Sequence, residues 1–140
     1  MSKLNILVLC TGNSARSQIA EALLRKHGGD RFNVYSAGTD PKGMNPYTVR
    51  TMNEIGIDVG AQRSKHLNEY LGTLGVKYLI TVCGHADENC PVWPGPHERL
   101  FWPFEDPAAC NGSDDEKLEK FRLIRNQIEA RVKAWLAEQK

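Results

Sequence analysis

The sequence predicts an α/β fold, a three-layer α/β/α arrangement around a central, mainly parallel four-stranded sheet. Short apolar runs alternate with segments of helical periodicity along the chain, the pattern of parallel strands joined by helical crossovers. The first run, Leu4-Asn5-Ile6-Leu7-Val8-Leu9, is nearly continuous in aliphatic residues, as in a strand covered on both faces. At 140 residues the chain can bury such a core and falls within the size of one domain, so 1–140 is read as a single domain.

The elements follow in order. After the first strand, Ser17 to Lys26 places Ile19, Ala20, Leu23 and Leu24 on one helical face, and Gly28-Gly29 ends the helix. Asn33 to Gly38 reads as a second strand. Pro46 to Ile55 reads as a helix opened by Pro46 and stopped by Gly56. Ser64 to Leu74 predicts a further helix with Leu67, Tyr70, Leu71 and Leu74 as its apolar stripe, and Val76 to Val82 a third strand that ends against Cys83. Arg99 to Phe104 predicts a fourth strand, placed at an edge by Pro103. Ser113-Asp114-Asp115-Glu116 is a capping box, followed at helical spacing by Leu118, Phe121, Ile124, Ile128, Val132 and Trp135. Trp93, Trp102 and Trp135 are assigned to core or rim packing, and His27 and His66 to solvent-facing helix positions.

Charge and composition exclude several functions. Eighteen basic and 17 acidic residues give a net charge of +1, which leaves no basic footprint for nucleic acid or an anionic membrane. No apolar run approaches the roughly 20 residues that span a bilayer, and the N-terminal run is too short for a signal peptide. The expectation is a cytoplasmic monomer. Four cysteines, Cys10, Cys83, Cys90 and Cys110, are then reactive thiols or metal ligands rather than staples. Cys110, in the turn-like Ala109-Cys110-Asn111-Gly112, is assigned no role.

The residues that carry chemistry begin at the end of the first strand. Cys10-Thr11-Gly12-Asn13-Ser14-Ala15-Arg16-Ser17 joins that strand to a helix, at the carboxyl edge where open parallel sheets bind ligands. Backbone N–H groups of Thr11 to Ser17 and the helix dipole suit a tetrahedral oxyanion. The Arg16 guanidinium can hold two of its oxygens. The same field lowers a cysteine pKa from about 8.5 into the range of roughly 3.5 to 7.5, which makes Cys10 the expected thiolate. Ser14 and Ser17 can donate to its sulfur, and Gly12 and Asn13 tolerate left-handed backbone angles. A strand-to-helix turn with a buried cysteine is the plainer alternative.

The Cys-x5-Arg-Ser pattern, with Asp106-Pro107 ahead of the last helix, resembles the low-molecular-weight tyrosine phosphatase fold over nearly the whole chain. Two families share that loop, the phosphatases and the thioredoxin-coupled arsenate reductases. Cys83 and Cys90, within the segment from Thr81 to Pro94, resemble the redox segment of the reductases, and Ala108 and Ala109 stand where the phosphatases usually have tyrosines. Both observations favour the reductase.

The resemblance implies that Cys10 attacks arsenate, with phosphate or sulfate as mimics, while Arg16 and the loop amides hold the oxygens and Asp106 protonates the departing one. Cys83 then forms a Cys10–Cys83 disulfide as arsenite leaves. Cys90 converts it to Cys83–Cys90, and thioredoxin or a similar dithiol protein restores the thiols; no cofactor or metal is implied. Were residues 83–90 helical, the two cysteines would stand about 10 Å apart, beyond the 7 Å or so that a disulfide's α-carbons allow, so the segment must unwind to close. Gly84 and Asp87-Glu88-Asn89 suit such refolding.

Two alternatives stand beside this reading. The phosphatase uses Cys10 alone, and a zinc module uses Cys83, His85, Cys90 and His97, whose spacing lacks a C-x2-C pair. Some reductases of this type also bind a monovalent cation through positions matching Asn13, Glu21, Ser36 and an acidic residue. The last aligns with Lys65 here, whose ammonium can take the cation's place, so no potassium is expected.

Overall fold

The computed structural model describes residues 3–90 and 92–139, with the side chain of His85 left aside. In chain order the elements are β1 (Leu4–Cys10), α1 (Arg16–Gly28), β2 (Phe32–Gly38), α2 (Pro46–Asn53), β3 (Tyr78–Thr81), α3 (Gly84–Glu88), β4 (Glu98–Phe101) and α4 (Asp114–Glu138), with 3-10 turns at Leu67–Glu69 and Pro107–Ala109. The strands form one parallel sheet in the order β2-β1-β3-β4, flanked by helices in three layers. β1 pairs on both sides, Cys10 standing beside Gly38 and Leu9 beside Thr81. The end of β1 and the segment just past β3 therefore meet at one carboxyl edge.

The aliphatic run explains the centre of the sheet. Ile6, Leu7, Val8 and Leu9 are fully buried, each contributing about 1.5 to 3 kcal/mol by leaving water. Ile19, Ala20, Leu23 and Leu24 bury the inner face of α1, and Leu118 to Trp135 bury α4 at the expected spacing. Helices α1 and α4 pack so closely that a Cβ on Gly28 would lie 2.9 Å from Leu136 Cδ2. Ser113 and Glu116 form the reciprocal capping box of α4. The Asn45 side chain accepts from Tyr47 N at the start of α2, with Pro46 first inside. The three tryptophans lie in the core, Trp102 and Trp135 edge to face at 5.8 Å.

Three expectations are corrected. The helix expected over Ser64–Leu74 is only the 3-10 turn Leu67–Glu69. Long-range hydrogen bonds hold the preceding backbone extended: Gly38 N donates to Lys65 O, and Lys65 N to Asn13 Oδ1. Gly72, at φ 85°, prevents continuation on the other side. The fourth strand closes at Phe101 rather than Phe104, because Pro103 has no N–H to give. Trp102 N and Phe104 N still reach Thr81 O and Val82 O across it. His27 and His66 are half-buried rather than solvent-facing. His27 Nε2 lies 2.9 Å from Glu129 Oε2, and His66 Nδ1 accepts from Asn68 N to cap the turn at Leu67. Among the described residues no helix is long and apolar enough to cross a membrane.

Candidate active site

The site begins where β1 ends. Cys10 forms the floor of a cleft of about 440 Å³. Thr11, Gly12, Ser14, Ala15 and Arg16 wall it from the loop, and Asp106 and Ala108 from the turn before α4. A third wall, Lys42 to Pro46, was not singled out from the sequence. Helix α1 starts at Arg16 with no side chain capping its N-terminus, so first-turn N–H groups and the positive end of the dipole remain for an anion.

Of the loop residues, Asn13 and Ser17 do not line the cleft. Asn13 is fully buried with φ 47°, so it, and not Gly12, takes the left-handed angle. Its Nδ2 donates to Ser17 Oγ (2.8 Å) and Ser36 Oγ (3.0 Å), and its Oδ1 accepts from Lys65 N and from Gln18 Nε2, both at 3.0 Å. These bonds fix the loop from behind. Gln18 also reaches Asn13 O and, far along the chain, Arg63 O, so it ties the loop to a segment remote in sequence. Gly38 is equally required: a Cβ there would stand 2.5 Å from Thr11 O.

Cys10 and Cys83 are both buried and stand against each other, so each acts on the other's ionisation. The Cys83 pKa is held down to about 5 by Cys10, then by the hydrogen bonds from Thr11 Oγ1 and Ala86 N and by Arg16, against the cost of burial. Cys10 is raised, by its hydrogen bond to Cys83 and by burial, which outweigh Arg16. Arg16 lowers Cys10, as its spacing predicts, and the charge of the pair is set jointly with Cys83, a partner invisible to local sequence.

Arg16 Nη1 donates to Phe104 O (3.0 Å), and Nη2 lies 3.8 Å from Asp106 Oδ2. Asp106 in turn accepts from Ala108 N at 3.0 Å and caps the turn Pro107–Ala109. The arginine expected to hold the oxygens and the acid expected to protonate the departing one thus stand together in the cleft.

Cys90 lies beyond α3, half-buried against the core, and burial raises its pKa. Helix α3 is held by Asp87, whose Oδ1 accepts from Thr81 Oγ1 (2.8 Å) and Arg99 Nη2 (3.1 Å). Cys110 lies elsewhere, beside Asp115 and Leu123. Among the described residues no three His, Cys, Asp or Glu side chains converge as metal ligands; the side chain of His85 falls outside them. Lys65 is buried, its Nζ donating to Arg63 O at 2.8 Å and lying 3.9 Å from Glu21 Oε1. Burial lowers its pKa and Glu21 opposes that. Glu21 Oε1 accepts from Ser36 Oγ, which accepts from Asn13, so an ammonium stands behind the loop.

A parallel sheet with a thiol, an uncapped helix N-terminus and an arginine around one oxyanion cleft defines a class. The chain belongs to the low molecular weight phosphotyrosine protein phosphatase family, whose model matches residues 5–140. Within that family it is similar to an arsenate reductase of Halalkalibacterium halodurans, 44% identical over 135 residues and 96% of each chain. Among solved structures it resembles an arsenate reductase in the phosphate binding state, with TM-score 0.80 and 30% identity over 96% of this chain and 98% of the other. It also resembles the thioredoxin-dependent arsenate reductase of Corynebacterium glutamicum, with TM-score 0.71 and 28% identity over 97% of this chain and 61% of the other.

Proposed function

We propose that this protein reduces arsenate to arsenite through Cys10, Cys83 and Cys90 and is reset by thioredoxin or a comparable dithiol protein. The observation that carries the reading is a second buried thiol, Cys83, placed against Cys10 just behind the floor of an oxyanion cleft. A phosphatase needs the first thiol only. A second thiol beside it is what a two-electron reduction requires.

The chemistry follows from the placement. As arsenate enters, the loop amides and Arg16 take its inner oxygens. The Cys10 proton passes along its hydrogen bond to Cys83, leaving Cys10 as the nucleophile below the arsenic. Cys10 displaces one oxygen, which Asp106 protonates so that it departs as water, and a Cys10–arsenic bond forms. Cys83 passes its proton to an oxygen on the arsenic, and its thiolate attacks the Cys10 sulfur. The sulfur–arsenic electron pair stays with arsenic, which leaves as arsenite, reduced by two electrons, and a Cys10–Cys83 disulfide remains. Cys90 then attacks Cys83, its proton passing to the expelled Cys10 sulfur, and the disulfide moves to Cys83–Cys90. Three thiols kept reduced suit the cytoplasm. The sequence from 1 to 140 carries every step as one domain.

The test is arsenate-dependent NADPH oxidation with thioredoxin and thioredoxin reductase. The native protein turns over, and Cys10→Ser, Cys83→Ser and Cys90→Ser do not. Full turnover by Cys83→Ser and Cys90→Ser would overturn the relay, and hydrolysis of an aryl phosphate untouched by those two changes, without arsenate turnover, would establish the phosphatase.

A further inference from the structure

The connection between β2 and α2 forms the third wall of the cleft, and the reaction as derived uses none of its side chains. It runs along the anion loop as a zipper: Thr39, Asp40, Lys42 and Asn45 donate their backbone N–H groups to the carbonyls of Cys10, Thr11, Gly12 and Ser14. This fixes the backbone of Lys42 at the cleft. Its stem lies flat on Gly12, with Lys42 Cγ 3.2 Å from where a Gly12 Cβ would stand. Its ammonium pairs with Asp40 Oδ2 at 2.7 Å, and both side chains are about two-thirds exposed. An exposed pair of this kind contributes little and is exchanged easily. The stem is anchored beside the site while the charged end is free to change partner.

Arg16, the cation already described at the cleft, is engaged by Phe104 O and Asp106. The inner oxygens of a bound anion face the loop amides and the floor at Cys10. In-line attack by Cys10 directs the remaining oxygen outward, towards the mouth lined by Lys42 and Asp106. In a free inorganic oxyanion that oxygen is the one that departs, and its lone pairs stay open to an ammonium. In an organic ester the same oxygen carries carbon, which crowds the mouth and leaves a poor acceptor. The dianionic charge is common to both, so it is access to the outward oxygen that draws the ammonium from the single carboxylate of Asp40 to a free oxyanion.

We propose that Lys42 is a movable second cation of the cleft, which leaves Asp40 to hold the outward oxygen of a free inorganic oxyanion and thereby favours free oxyanions over phosphate esters. This deepens the reductase reading and rests on it for the identity of the oxyanion. Lys42 binds and selects; the proton for the departing oxygen remains with Asp106. A group that would be a steric burden to an ester is thus an asset to arsenate.

The test titrates inorganic phosphate and phenyl phosphate into the reduced native protein, Lys42→Met and Lys42→Arg by calorimetry. Methionine keeps the stem on Gly12 and removes the charge. One hydrogen bond to a charged group corresponds to about tenfold in affinity. Phosphate binding falls about tenfold in Lys42→Met and recovers in Lys42→Arg, while phenyl phosphate changes less than about twofold. Raised ionic strength weakens phosphate binding more in the native protein than in Lys42→Met. Equal losses for both ligands, no loss for either, or no phosphate binding by the native protein would each overturn the proposal. The same selective loss in a protein that makes no arsenite would sustain the role of Lys42 and defeat the reductase reading.

Discussion

Cys83 stands against Cys10 just behind the cleft, its sulfur 3.3 Å from Thr11 Oγ1, so the two buried thiols ionise as one pair rather than as independent groups. The arrangement leaves one proton between the two sulfurs, ready to move when an anion enters. It also keeps the second nucleophile of the relay within bonding reach of the first.

A direct consequence concerns the thiolate. Absorbance at about 240 nm follows thiolate formation, and the reduced native protein should show one step with a midpoint at about 5. Cys10→Ala removes the largest cause of that lowering, so the midpoint should move upward in that variant. A midpoint unchanged by Cys10→Ala would show that the hydrogen bond is not the cause.

Stability should follow the same charge. The Cys83 pKa falls from an ordinary 9.0 to about 5 on folding, so its thiolate stabilises the native state above pH 9.0, and that contribution is lost as pH falls through 5. Urea midpoints compared between about pH 8 and about pH 5 should therefore drop more in the native protein than in the Cys10→Ala/Cys83→Ala double variant, which lacks the coupled pair. Equal drops would remove the thiol pair from the account.

Gly38→Ala tests the loop from behind. Its Cβ would meet Thr11 O at 2.5 Å and Asn13 N at 3.1 Å, all backbone with nowhere to yield. Overpacking of this kind costs about 1 to 3 kcal/mol. Because the clash falls on the anion loop, phosphate binding should fall by tenfold or more while circular dichroism retains the fold. Native binding in Gly38→Ala would show the loop to be pliant.

Asp87 is the clamp on α3. Moving the disulfide to Cys83–Cys90 requires the helix between them to open, and Asp87 ties it to Thr81 and Arg99. Oxidation should raise amide exchange across residues 84–88. Asp87→Ala should speed the second disulfide step about tenfold, the equivalent of about 1.4 kcal/mol for the lost bonds, and leave arsenate binding unchanged. An unchanged rate would place the barrier elsewhere.

The loop from Cys10 to Arg16 was legible because its signals are local: a strand, small polar residues, an arginine and a helix in succession. What was not legible depended on remote partners. The segment from Ser64 has the apolar spacing of a helix, yet its backbone is claimed by Gly38 and Asn13, distant in sequence. The field of Arg16 on Cys10 could be read from their spacing, whereas the stronger influence of Cys83 required the sheet to bring β1 and β3 together. Gln18, Gly38 and Lys42 escaped notice for the same reason. The parallel sheet and the α4 capping box were plain, because periodicity and capping are properties of contiguous residues.

The most direct test of the relay is a single turnover without reductant, followed by disulfide mapping. Reduced protein given arsenate should end with a Cys83–Cys90 disulfide and one arsenite per chain. Cys90→Ser should stop at Cys10–Cys83 with the same yield of arsenite, and Cys83→Ser should release none. Arsenite from Cys83→Ser, or a Cys90→Ser protein with no bond between Cys10 and Cys83, would contradict the account.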